Sequence, residues 1–131
     1  MSVPVEEIAT GVRRVPHLRL LVLYGSRARG SAHPRSDWDF AYLGGAGFDP
    51  DALLALLVDL TRHERIDAVD LDRAGALIRH RIARDGLLLF EAESGLFERF
   101  RLAAIHAWCD LEPVLTPLYE RTLEGLVTDD R

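Results

Sequence analysis

The chain is predicted to fold as a single α+β (mixed α/β) domain over residues 1–131, with a sheet of about four strands flanked by helices. Two observations carry this expectation. Four short apolar runs, at 18–24, 38–43, 65–71 and 87–91, have the length of strands and are separated by turn residues or by stretches of helical spacing. From Ser94 onward only helical spacing occurs, so two C-terminal helices are expected to follow the sheet.

In order, residues 2–15 read as a short helix that Ser2 can cap and Pro4 can start, with Ile8 and Val12 on one face, Gly11 weakening the middle and Pro16 ending it. The apolar run Leu18–Tyr24 suits a strand inside a sheet. Ser26 to Gly30 is then a helical turn, Ser31 to Ser36 a loop containing Pro34, and Trp38 to Leu43 the second strand. Gly44-Gly45-Ala46-Gly47 lacks the spacing of a dinucleotide fingerprint and reads as a flexible connection. Asp49 caps the next helix and Pro50 opens it. Leu53, Leu54, Leu56, Leu57 and Leu60 make it strongly apolar, so it is expected to pack over the sheet and end near His63.

Arg65 to Leu71 is the third strand, where alternation puts Asp67 on one face and Asp70 on the other. A helix from Asp72 carries Leu77, Ile78 and Ile82 on one side and mostly arginines on the other; Gly86 stops it before the fourth strand, Leu87 to Glu91. Two helices, about 94–111 and 113–127, complete the chain. Phe97, Phe100, Ala104, Ala107, Trp108 and Leu111 recur at helical spacing, which suits either a core or a partner surface.

Composition excludes several function classes. No apolar run approaches the roughly 20 residues that cross a bilayer, and the N-terminus has no cationic region leading into an apolar one, so a cytoplasmic location and no membrane partner are expected. Cys109 is the single cysteine, which rules out an internal disulfide and a cysteine-rich zinc site; it is expected as a small core residue. All sixteen basic side chains are arginine. Without lysine there is neither a P-loop nor a lysine-linked nucleotide intermediate. Up to Ser36 six arginines face two acids, a balance of +4, whereas the remainder carries −9. That acidic body disfavours stable nucleic-acid binding, while the early arginines suit a small phosphate ligand.

The chemistry concentrates between Tyr24 and Asp39. Asp37 and Asp39 are two apart, so on a strand their carboxylates point to the same side and repel unless a proton or a cation intervenes. A hard divalent cation such as Mg²⁺ suits such oxygens together with substrate phosphates. Gly25 and Ser26 offer a close backbone approach and a hydroxyl for a phosphate, and Arg27 and Arg29 follow with charge-assisted donors. Ser26, His33 and Asp37 contain the ingredients of a hydrolase triad, but Ser26 is not set in a GxSxG elbow.

Gly25-Ser26, ten intervening residues and Asp37-Trp38-Asp39 resemble the signature of the DNA polymerase beta nucleotidyltransferase superfamily, and over nearly the whole chain the order of motifs resembles its minimal nucleotidyltransferases. The resemblance implies the nucleotidyltransferase fold, with a small mixed sheet, and a metal-dependent transfer of AMP from ATP to a hydroxyl group using two Mg²⁺ ions. It implies a third carboxylate in an Arg-hydrophobic-Asp context, which Arg65-Ile66-Asp67 matches, with Asp70 in reserve. Asp37, Asp39 and Asp67 would then be the catalytic and metal-binding residues, and Gly25, Ser26, Arg27 and Arg29 the nucleotide-binding ones. Such proteins commonly act as MntA-type antitoxins that modify a tyrosine of a cognate HEPN-domain (HepT) ribonuclease toxin. A stand-alone enzyme for small hydroxyl compounds such as aminoglycosides, and a non-catalytic binding antitoxin, are the alternatives.

Overall fold

A computed structural model describes residues 5–31 and 36–124, with side chains described as far as 111. At its centre is β1, Leu18–Tyr24, whose residues Leu20 to Leu23 are all buried, as the apolar run requires. It pairs antiparallel with β2, Trp38–Gly44, on one side and with β4, Leu87–Glu91, on the other. β3, Ile66–Asp70, adds in parallel to the far edge of β2, so the order is β3-β2-β1-β4 and the sheet is mixed.

A parallel pair needs a crossover, supplied here by α3, Pro50–Thr61. Asp49 caps it by accepting the Asp51 N–H at 3.0 Å, and Arg62 ends it in the left-handed region with φ 55°. The expected cap and first-turn residue of the first helix, Ser2 and Pro4, lie outside the described residues. That helix, α1, spans Val5–Gly11 and tightens into a 3₁₀ turn at Val12–Arg14. Gly11 is less a weak spot than a contact: a Cβ there would stand 2.7 Å from Cδ1 of Leu60 on α3, so glycine lets the two helices approach.

Strand alternation sorts the core into two layers. Leu21, Leu23, Trp38, Phe40 and Tyr42 face α1 and α3, meeting Ile8, Leu53 and Leu57. Leu20, Val22 and Ala41 face the other way, against Ile82 and Ala83 of α4, Ala76–Asp85, and Phe97, Phe100 and Ala104 of α5, Leu96–Glu124. Phe40 is fully buried, and truncating such a ring to alanine typically costs about 3–5 kcal/mol.

Three local expectations are corrected. α4 starts at Ala76 rather than at Asp72, because Asp70 turns the chain first: its carbonyl accepts the Arg73 N–H at 3.0 Å and its Oδ1 accepts the Asp72 N–H at 2.9 Å. Gly86 does stop α4, yet in an ordinary extended conformation; glycine is needed because a Cβ would meet the Ile82 carbonyl and lie 2.6 Å from Cγ1 of Val22. The C-terminal region is one helix, α5, running through Pro113 and Pro117, where two were expected. The two prolines are one turn-repeat apart, so both missing N–H groups fall on one face and the hydrogen-bond ladder continues on the others. Cys109, expected in the core, is exposed on this helix.

α5 is started by a side chain from the strand before it. Glu91 accepts N–H groups from Phe97 at 3.0 Å and Gly95 at 3.3 Å, satisfying donors that the helix itself leaves unpaired.

Candidate active site

β1 ends at Tyr24, and the chain turns through Gly25 into the four-residue helix α2, Ser26–Arg29. Gly25 has φ 77° and ψ −158°, and a Cβ on it would stand 2.5 Å from Oδ2 of Asp39. Glycine is therefore required twice, by backbone conformation and by the carboxylate lying against it. Gly30 closes α2 in the left-handed region, where the Ser31 N–H reaches the Ser26 carbonyl at 3.0 Å.

The sheet register brings the acids together. Asp39 pairs with Tyr24 on β1 and with Asp67 on β3, so Tyr24, Asp39 and Asp67 form a row across three strands on the face shared with α4 and α5. In a parallel pair, in-register side chains lie on the same side about 4.8 Å apart along the hydrogen-bonding direction. Asp39 is half-buried and Asp67 exposed. Burial, then the charges of Asp67 and Asp37, hold the Asp39 carboxyl above its usual range, opposed by Arg29. Burial, then the Asp39 and Asp67 carboxylates, push the Tyr24 phenol up to about 12, so it stays neutral beside them. Tyr24 was not singled out from the sequence, where it merely closes an apolar run; its placement needs the cross-strand register.

Asp37 precedes β2 and is exposed, with Oδ1 3.6 Å from Nε of Arg65. Asp70 stands apart from the row. It pairs with Tyr42 on the opposite face and uses its carboxylate to hold the turn after β3. The two arginines after Ser26 also separate. Arg29 is exposed and near enough to Asp39 and Asp85 to lower the pKa of both. Arg27 instead turns its guanidinium to the Ser36 carbonyl, donating from Nε at 3.1 Å and from Nη2 at 2.8 Å, and lies 4.2 Å from the Trp38 ring centroid. Arg27, expected as a nucleotide-binding residue, is thus engaged with Ser36 and Trp38.

Among the described residues, no three carboxylate, imidazole or thiolate groups already stand close enough to hold a metal ion by themselves. The donor set nevertheless fits one kind of ion. Mg²⁺ is usually held by one or two carboxylates with waters and substrate phosphates completing its shell. The Asp39–Asp67 pair, with Asp37 next to it in an exposed ion pair, offers that number of hard oxygens and a repulsion that a cation relieves. Among the described residues no helix is long and apolar enough to cross a membrane.

Comparison with known proteins agrees with this geometry. Residues 6–94 match the family described as Polymerase beta, Nucleotidyltransferase. The chain is 35% identical over 101 residues to protein adenylyltransferase MntA of Aphanizomenon flos-aquae (strain 2012/KM1/D3), covering 67% of each protein. In fold it resembles a crystal structure of a toxin-antitoxin with AMP-PNP, at TM-score 0.74 and 24% identity, covering 91% of this chain and 98% of that one. It also resembles a structure of a tri-AMPylated Shewanella oneidensis HEPN toxin in complex with MNT antitoxin, at TM-score 0.67 and 22% identity, covering 91% and 95%. The glycine-serine bend, the carboxylate row and these matches together make the chain a member of the polymerase beta nucleotidyltransferase family.

Proposed function

We propose that this protein is a metal-dependent adenylyltransferase that moves AMP from ATP to a tyrosine hydroxyl of a cognate HEPN-domain toxin, and so acts as the antitoxin. The observation that carries the reading is the in-register Asp39–Asp67 pair against Gly25, in a chain 35% identical to a protein adenylyltransferase. The cytoplasm is the corresponding location, and residues 1–131 act as one domain.

In this reading the Ser26 hydroxyl and the Gly25 backbone bind the β- and γ-phosphates, and Arg29 adds a charged donor. Asp37, Asp39 and Asp67 would hold two Mg²⁺ ions, which when bound supply charge neutralisation for the incoming and leaving oxygens. Asp67, exposed on the edge strand, takes the proton of the acceptor hydroxyl. The acceptor oxygen bonds to the α-phosphorus, the bond to the bridging oxygen breaks, and pyrophosphate leaves on the opposite side. Tyr24 keeps a neutral phenol beside the carboxylates, adding no further negative charge.

Incubating the protein with ATP, Mg²⁺ and a cognate HEPN-domain toxin, followed by intact-mass analysis, tests the reading. A toxin heavier by one or more AMP groups, with none added when Asp39→Asn is used, is expected. An unmodified toxin in a stable complex would replace catalysis with occlusion, and label on a small alcohol instead would mark a stand-alone enzyme.

A further inference from the structure

Arg27 lies one residue past Ser26, and its single planar group reaches the chain on both sides of Asp37. Two of its N–H donors converge on the Ser36 carbonyl, at 3.1 and 2.8 Å. Its guanidinium carbon sits 4.2 Å from the centroid of the Trp38 ring. Trp38 is 3% exposed, stacks on Phe40 with centroids 5.8 Å apart and planes 5° apart, and donates its backbone N–H to the Arg65 carbonyl at 3.1 Å. Ser36, Trp38 and Phe40 are thereby held, and Asp37 and Asp39 are the residues between them.

We propose that Arg27 is a positioning residue, a clamp that sets the distance between the Ser26 bend and the Asp37–Asp39 pair, and not a ligand of the triphosphate. This deepens the adenylyltransferase reading and rests on it for the kinetic part of its test. The chemistry of the side chain supports the role. A guanidinium can fork two donors onto one carbonyl and lie flat on an indole in the same conformation, whereas an ammonium can do neither together. A phosphate ligand would tolerate lysine, because a point charge also serves there. A clamp would not. The ten-residue spacer between Ser26 and Asp37 gains a physical meaning as well: α2 and the tie from Arg27 to Ser36 span it from its first residue to its last.

The test compares Arg27→Lys and Arg27→Gln with Arg29→Met in the full chain. Each is made also with Trp108→Phe, so that Trp38 is the remaining tryptophan. For Arg27→Lys the clamp predicts a changed Trp38 emission and amide exchange at residues 37–40 faster by about tenfold. It predicts kcat lower by about tenfold or more with KM for ATP within about twofold, whereas Arg29→Met raises KM. Arg27→Gln, which retains a donor but no charge, should behave like Arg27→Lys. The proposal is overturned if folded Arg27→Lys keeps its kcat while KM rises about tenfold, or if exchange at 37–40 and Trp38 emission stay as in the parent. A parent protein that transfers no AMP would remove the proposed function, and the exchange and emission measurements would still decide the clamp.

Discussion

Gly25→Ala puts the geometry of the site under the most direct strain. Alanine at this position must hold φ 77° and ψ −158°, a region essentially confined to glycine, at a cost on the order of 1–3 kcal/mol. Its Cβ would also stand 2.5 Å from Oδ2, 3.3 Å from Cγ and 3.4 Å from Cβ of Asp39. The carboxylate end can swing aside, but doing so takes it out of its place next to Asp67. With an unfolding entropy of roughly 2.1 cal/mol/K per residue over 131 residues, each kcal/mol moves Tm by about 4 °C, so a drop of about 4–11 °C is expected. Loss of the carboxylate position should lower AMP transfer by at least about a hundredfold, since such groups supply several kcal/mol in the transition state. Calorimetry and intact-mass transfer assays on the same preparation measure both. A variant that melts within a degree or so of the parent and transfers AMP at near-normal rate would refute the argument that glycine is required by both backbone and carboxylate.

Further outcomes follow from the same contacts. Asp67→Asn should abolish transfer while Asp70→Asn, on the other face, keeps most of it; equal losses in turnover would contradict the register. The Asp39 carboxyl is held above its ordinary 3.8 in the folded protein, so its contribution to stability is complete below that value and is lost as pH rises through the raised one. Metal-free Asp39→Asn should therefore melt higher than the parent at neutral pH, and the difference should vanish in acid below 3.8; a lower melting point at pH 7 would reverse the sign. Glu91→Ala removes the acceptor of two N–H groups at the start of α5, at a cost of about 1 kcal/mol, or about 4 °C in Tm; an unchanged melt would deny it the capping role.

What could be read from the chain alone was whatever depends on local pattern. The strand Leu18–Tyr24 announced itself because both of its faces are buried, and Asp49-Pro50 marked a helix start because cap and first-turn chemistry are local. Asp67 and Asp70 separated by counting twos, and the sheet places them on opposite faces as counted. Features set by distant neighbours were not readable. Tyr24 joins the acidic row only through pairing with β2, and Glu91 caps α5 from within a strand, where no capping box exists in sequence. Arg27 and Arg29 look alike two residues apart, and only the position of Ser36 and Trp38 distinguishes them. Pro113 suggested a helix boundary because a proline removes a backbone donor, but a gap confined to one face does not end a ladder.

β3 is the outermost strand beyond β2, and Asp67 stands on it exposed to solvent. A carboxylate on the rim of a sheet can be reached sideways, without the incoming molecule having to thread between protein layers. A loop carried on a bulky folded body could thus offer its hydroxyl from beyond the margin while the nucleotide enters from the Gly25 side. The edge position of β3 therefore leaves the approach to this acid open on the side away from β2.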